Sequence, residues 1–172
     1  RCFMEQVWRH SAPSGVSGLL HPETHLTDEK AGPLRYATYR RLRRHWQFIN
    51  EFKLFTEIHH LVTYGVHIYG PEREPQFLTA ASLYHPDTVE RSLAHDGSGP
   101  EPGLKDPDGN WDLRPHSGRI ITVDAAMLAS WNEVTEEGKG NASCPRMLYA
   151  VNREVAQVQG KLAKAHRLSE LR

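Results

Sequence analysis

The apolar positions along this chain change period several times, and each change marks an element. Phe3, Met4, Val7 and Trp8 recur at helical spacing, so the first ten residues predict an amphipathic helix ending at the breaker Ser11-Ala12-Pro13-Ser14-Gly15. The short apolar run from Val16 to Leu20 then predicts a buried strand. Pro22, which has no amide to donate, closes it and holds His21 extended. Thr27 or Asp28 is placed to cap a helix over about Pro33 to Arg44, with Asp28 and Glu29 suited to its first turn.

Two runs of period two follow. QFINEFKLF places Phe48, Asn50, Phe52 and Leu54 on one side, and LVTYGVHIYG alternates Val62, Tyr64, Val66 and Ile68 against Thr63, Gly65, His67 and Tyr69. With no Asn-Gly signal around Thr56 to His60, they read as antiparallel strands joined by a longer loop. Helix, strand, helix, strand, strand is an α/β order. Further on, FLTAASLY reads as a strand, PDTVERSL as a short helix with Pro86 at its first turn, and RIITV as a strand. Asp124 caps DAAMLASW, and the stripe Met147, Leu148, Val151, Val155, Val158 and Leu162 predicts a last helix from about Pro145 to Ala165. Between them, residues 95–117 are dense in Gly, Pro and Asp and lack periodicity. That is longer than the ~12–15 residues of an ordinary structureless connection, so the segment is a binding loop, a lid or disordered.

Composition narrows the class. A chain of 172 residues with 38% hydrophobic and 9% aromatic content is globular, and a mean hydropathy of -0.61 with no long apolar run excludes a membrane-spanning helix. Lys+Arg and Asp+Glu are equal at 21, so an anionic partner must be held by a local patch, although 11 histidines add charge in acid. Cys2 and Cys144 alone form neither a zinc framework nor a disulfide scaffold, which points to a reducing, cytoplasmic compartment. The chain opens directly on helical sequence with no initiator methionine and no signal peptide, as expected of a piece of a longer protein. Asn141-Ala142-Ser143 fits a glycosylation acceptor only by chance in that setting.

The candidate chemistry is dispersed. His21 and His25 have the i, i+4 spacing of a metal pair, but Pro22 breaks the helix that spacing requires. A further ligand would come from His59, His60, His67 or His85, and no metal is expected. His21-Pro22-Glu23-Thr24-His25 follows a strand directly, the place where ligands sit in open α/β sheets. Arg35, Arg40, Arg41, Arg43 and Arg44 form the strongest local charge. On a helix Arg40 and Arg44 share a face with Arg43 beside them, either solvated or touching phosphate. Phe55 is either a rim residue of the core or an aromatic plate for a flat ligand. Asp106-Pro-Asp-Gly-Asn-Trp-Asp has the outline of a calcium loop without the closing glutamate. No Ser/His/Asp elbow, Walker loop or GxGxxG is present, so no catalytic residue is assigned.

Taken in order, FMEQVWRH, GVSGLLHPETHLTDEKAGPLR and RRLRRHWQFINEFKLFTEIHHLVTYGVHIYG resemble the later part of the S-adenosylmethionine-dependent adenine DNA methyltransferases. The large single-chain, type IIG-like methylases of restriction-modification and related phage-defence systems are the most similar kind. The resemblance covers about Phe3 to Gly70. It implies residues 1–70 as the late part of a Rossmann-like methyltransferase sheet, closed by an antiparallel strand pair, and residues 71–172 as an α+β extension leading toward target recognition. It further implies a target-base pocket bordered by His21, Pro22 and Glu23, with Phe55 packing on a flipped adenine, and DNA phosphate contacts from Arg40, Arg43 and Arg44. The Asn/Asp-Pro-Pro-Tyr/Phe motif and the cofactor-binding Gly-rich loop of that family are absent, and in the family both lie earlier in the chain. The resemblance therefore implies an inactive fragment. S-adenosylmethionine would be bound by the intact parent and not by this segment, and DNA and the remainder of the methyltransferase chain would be its partners. The competing expectation is a non-catalytic DNA-binding or protein-interaction module.

Overall fold

A computed structural model describes residues 2–166. Its elements in chain order are α1 (Cys2–His10), β1 (Ser17–His21), a short α2 (Thr24–Thr27), α3 (Gly32–Arg41), β2 (Leu42–Ile49), β3 (Thr63–Tyr69), β4 (Gln76–Leu83), α4 (Pro86–Leu93), β5 (Ile121–Asp124), α5 (Ala125–Thr135) and α6 (Arg153–Leu162). The five strands form one mixed sheet in the order β1-β3-β2-β4-β5, so the chain is α/β. β3 runs antiparallel between β1 and β2, β4 is parallel to β2, and β5 is antiparallel to β4. The sheet thus continues across residue 70, since β4 pairs directly with β2.

Each face of the sheet carries a core, and the pairing register decides what it contains. Leu19, His67, His45, Thr79 and Ile121 are successive partners across the sheet and share one face. On that side Leu26, Tyr39, Leu42, Tyr69, Phe77, Val123, Leu128 and Trp131 make the larger core. The opposite side packs Trp46, Phe48, Tyr64, Ala80, Leu83 and Val89. In β4 the register slips beside β2 at Ser82, whose φ of 56° lies in the left-handed region. The Ser82 amide donates to Gln47 Oε1 at 3.2 Å.

Three local expectations change. The helix expected to reach Arg44 stops at Arg41, because Leu42 turns extended (φ -64°, ψ 138°) and enters the sheet fully buried. Arg43 and Arg44 therefore stand on β2, and the helical face that grouped Arg40 with Arg44 does not exist. The strand expected over residues 47–55 ends at Ile49, and the 3-10 turn Asn50–Phe52 follows. Asn50 is the cause: fully buried, it donates from Nδ2 to the carbonyls of Phe55 (2.8 Å) and Ile58 (3.2 Å) and accepts from the Phe55 amide (2.9 Å). The last helix begins at Arg153, not near Pro145. Met147, Leu148 and Tyr149 are drawn into the larger core as irregular chain, tied by Arg35 Nε to Cys144 O, Tyr39 Oη to Pro145 O and the Met147 amide to Leu26 O, each 2.9 Å. Val155, Val158 and Leu162 are consequently exposed instead of facing a core.

Other expectations hold. α1 and α4 form where the spacing placed them, Asp124 accepts from the Met127 amide at 2.9 Å, and Asp28 caps the turn before α3 by accepting from Lys30 N at 2.8 Å. The long loop is pinned from beneath by buried Arg119, which donates to the carbonyls of Arg114 (2.9 Å) and Asp112 (2.6 Å). Within it Lys105 and Trp111 form a β-bridge, and the Trp111 ring packs on Tyr84 with centroids 4.5 Å apart.

A buried histidine and glutamate cluster

The sheet face nearest the end of β1 carries a polar cluster sealed from solvent. β1 ends at His21, and Pro22 prevents it from pairing further. Glu23 stands just before α2 yet makes no side-chain cap there. Its carboxylate turns inward, 5% exposed, and Oε1 accepts a hydrogen bond from His45 Nε2 on β2. His67 on β3 points Nε2 at the same oxygen from 4.0 Å. The three ligand atoms, Glu23 Oε1, His45 Nε2 and His67 Nε2, all lie within 4.8 Å of one another, and all three residues are buried.

The far side of each imidazole is also fixed. His45 Nδ1 meets Thr79 Oγ1 at 2.8 Å, and His67 Nδ1 donates to Gly65 O at 3.1 Å. With its proton on Nδ1, His67 offers a lone pair at Nε2, and that atom has no hydrogen-bond partner. Gly65 makes the arrangement possible: a Cβ there would occupy the space of the His67 ring and the Glu23 carboxylate.

Electrostatics follow from burial and neighbours. Burial drives the His67 pKa far below the ordinary histidine value, and the nearby His45, His21 and His25 push it the same way, so the ring is neutral. For Glu23, burial pushes upward, but the hydrogen bond and charge of His45, together with Gln47 and Tyr149, outweigh it. The carboxyl is held below its usual range and is ionised. His21 lies over this group, its ring stacked on His67 at 4.0 Å and 8°, and burial lowers its pKa as well.

The residues singled out from sequence are only partly brought together. The His21 and His25 rings are 5.3 Å apart and tilted by 52°, and both border a hollow of about 330 Å³ with Leu19, Leu20, Pro22 and Thr24. Phe55 lies at a different hollow of about 410 Å³, edge-on to Tyr64 at 5.0 Å, among Leu20, Trp46, Phe48 and Val89. Leu20 borders both hollows. Arg40 is paired with Glu72 (2.7 Å) and Glu74 (3.3 Å), and Arg41 with Glu72 (2.9 Å). Arg43 is turned onto the carbonyls of Arg41, Leu42 and Pro71. Arg44 is exposed.

The sequence alone does not single out His45, because the basic run before it reads as helix to its end. His67 is there one possible ligand among four, with nothing to prefer it. The signal was available: once residues 42–49 are strand, His45 and Gln47 share a face, as do Gly65, His67 and Tyr69.

No family model matches this chain, and no curated protein matches it. Among solved structures it is similar to the M protein of the type I restriction enzyme EcoKI, with a TM-score of 0.48 and 11% identity over 94% of this chain and 41% of that one. It is also similar to a chain from a study of assembly and conformational transition in a type I R-M system (TM-score 0.45, 13% identity, 95% of this chain and 36% of that one). A third is the type IIG restriction endonuclease BpuSI (TM-score 0.41, 15% identity, 78% of this chain and 16% of that one). The chain spans less than half the length of each.

Proposed function

We propose that this chain is part of an adenine-specific DNA methyltransferase of a restriction-modification or related defence system, and that it supplies one wall of the target-base pocket. The observation that carries the reading is the arrangement of β1, β3 and β2. Two parallel strands are linked through α3, and β3 lies antiparallel between them, so the antiparallel pair that the sequence resemblance implies is present, while β4 continues the sheet beyond β2 instead of leaving it closed there. Phe55 at the mouth of an apolar hollow gives that wall a flat aromatic group suited to an unstacked base. The other edge of β1 is unpaired among the described residues, with Val16, Leu20 and Phe3 exposed beside it. That edge is where the preceding part of the parent sheet would pair.

The test produces the chain joined to the polypeptide encoded ahead of Arg1 and measures transfer of a labelled methyl group from S-adenosylmethionine to duplex DNA. Transfer to adenine is expected, reduced roughly 10- to 100-fold by Phe55→Ala, the worth of one base stacked on an aromatic ring. Absence of adenine methylation overturns the reading. So does a preceding sequence without a Pro-Pro-aromatic motif.

A further inference from the structure

We propose that Glu23, His45 and His67 form a binding site for one divalent transition-metal ion, with zinc as the best-fitting class. The inference stands on the local geometry and does not depend on the methyltransferase reading. Two imidazoles and one carboxylate are a recurrent zinc donor set, and here they come from three separate elements: the turn before α2, β2 and β3. Their ligand atoms converge within 4.8 Å. Ligands that each stand ~2.0–2.2 Å from one ion lie up to about 4 Å apart, so an ion between them requires only small side-chain adjustments.

The outer contacts argue for a ligand more strongly than the donor set does. Imidazoles that bind a metal through one nitrogen ordinarily fix the other on a carbonyl, carboxylate or hydroxyl, which sets tautomer and ring orientation. His67 does this through Gly65 O, and His45 Nδ1 lies 2.8 Å from Thr79 Oγ1, a hydroxyl able to accept or to donate. His67 Nε2 is then a fully buried lone pair with no hydrogen-bond partner, aimed at a carboxylate too far away to accept or donate usefully. A buried polar atom left in that state is costly, and a cation between the two groups satisfies both. To present a lone pair to the ion, His45 Nε2 gives up the hydrogen it donates to Glu23 Oε1, and the ring carries that hydrogen on Nδ1 instead, where it is donated to Thr79 Oγ1. Three protein ligands leave a fourth position for water.

The experiment uses the full chain stripped with a chelator and titrated with zinc chloride alone, then with cobalt(II) as a spectroscopic probe. One equivalent should bind, and the melting temperature should rise with zinc concentration. Cobalt(II) should give a tetrahedral visible spectrum without a thiolate charge-transfer band. Glu23→Gln and His67→Gln should each weaken binding roughly 100-fold or more, whereas the double change His59→Ala/His60→Ala, in the loop after Asn50 and outside the cluster, should leave it unchanged. Should the buried variants not fold, the wild-type chain still decides the matter, because cobalt(II) must shift the ring protons of His45 and His67 in its NMR spectrum. Absence of stoichiometric binding overturns the site, as does binding that leaves the rings of His45 and His67 unshifted or is abolished by the His59/His60 variant.

Discussion

At the scale of single residues, the cluster around Glu23 stores stability that depends on pH. His67 has its folded pKa depressed below 6.5, so the unfolded chain takes up the proton first. Its contribution is fully present above about pH 6.5 and declines as the pH falls further. Glu23 is likewise depressed below 4.5, and its contribution is present above that value and lost as the pH falls through the folded pKa. Thermal unfolding of the metal-free chain should therefore weaken between pH 7.5 and 5 and weaken further below, and a flat profile would refute this account. Removing one partner of the buried pair, as in His45→Leu, strands an ionised carboxylate in the interior. A loss of about 3–5 kcal/mol is expected in denaturant titration.

At the scale of elements, two side chains decide how a segment runs. Asn50 holds the loop that presents Phe55, so Asn50→Ala should leave the sheet intact while hydrogen exchange at the Phe55 amide rises sharply. Asp124→Ala removes a cap from α5 and should cost about 1 kcal/mol. The legible and illegible elements divide on the same physics. Apolar period and caps located α1, β3, α4 and α5, because those segments answer mainly to their own sequence. β2 was misplaced at both ends, since charged Arg43 and Arg44 read as a solvated helix while pairing to β3 and β4 pulls Leu42–Ile49 into the sheet. The residues after Pro145 look helical by their stripe, but contacts to Leu26, Arg35 and Tyr39, more than a hundred positions away in sequence, hold them irregular.

At the scale of the whole molecule, the long loop is fastened to the body, and the outer edge of β1 is unpaired among the described residues. Arg119 fastens residues 103–114 to the body through carbonyls and through Asp112, which is itself buried. Arg119→Met should release the loop to proteolysis at concentrations of protease that leave the parent chain whole. On the proposed reading, the amides of β1 on its outer edge should exchange quickly in the isolated chain and slowly when it is joined to the polypeptide proposed to pair there. Neither the candidate cluster nor the open edge was visible from spacing, because both are products of strand order. His45 and His67 are 22 positions apart and become neighbours only when β3 inserts beside β2.

Gly65 shows what such a site asks of its scaffold. Strand interiors favour branched and aromatic side chains, and a glycine there gives up packing and order. A library randomised at position 65 and sorted for any variant that could fold more firmly would be searching for a side chain where the Glu23 carboxylate and the His67 ring now stand. Selection for robustness alone would drift toward sequences in which this cluster has closed.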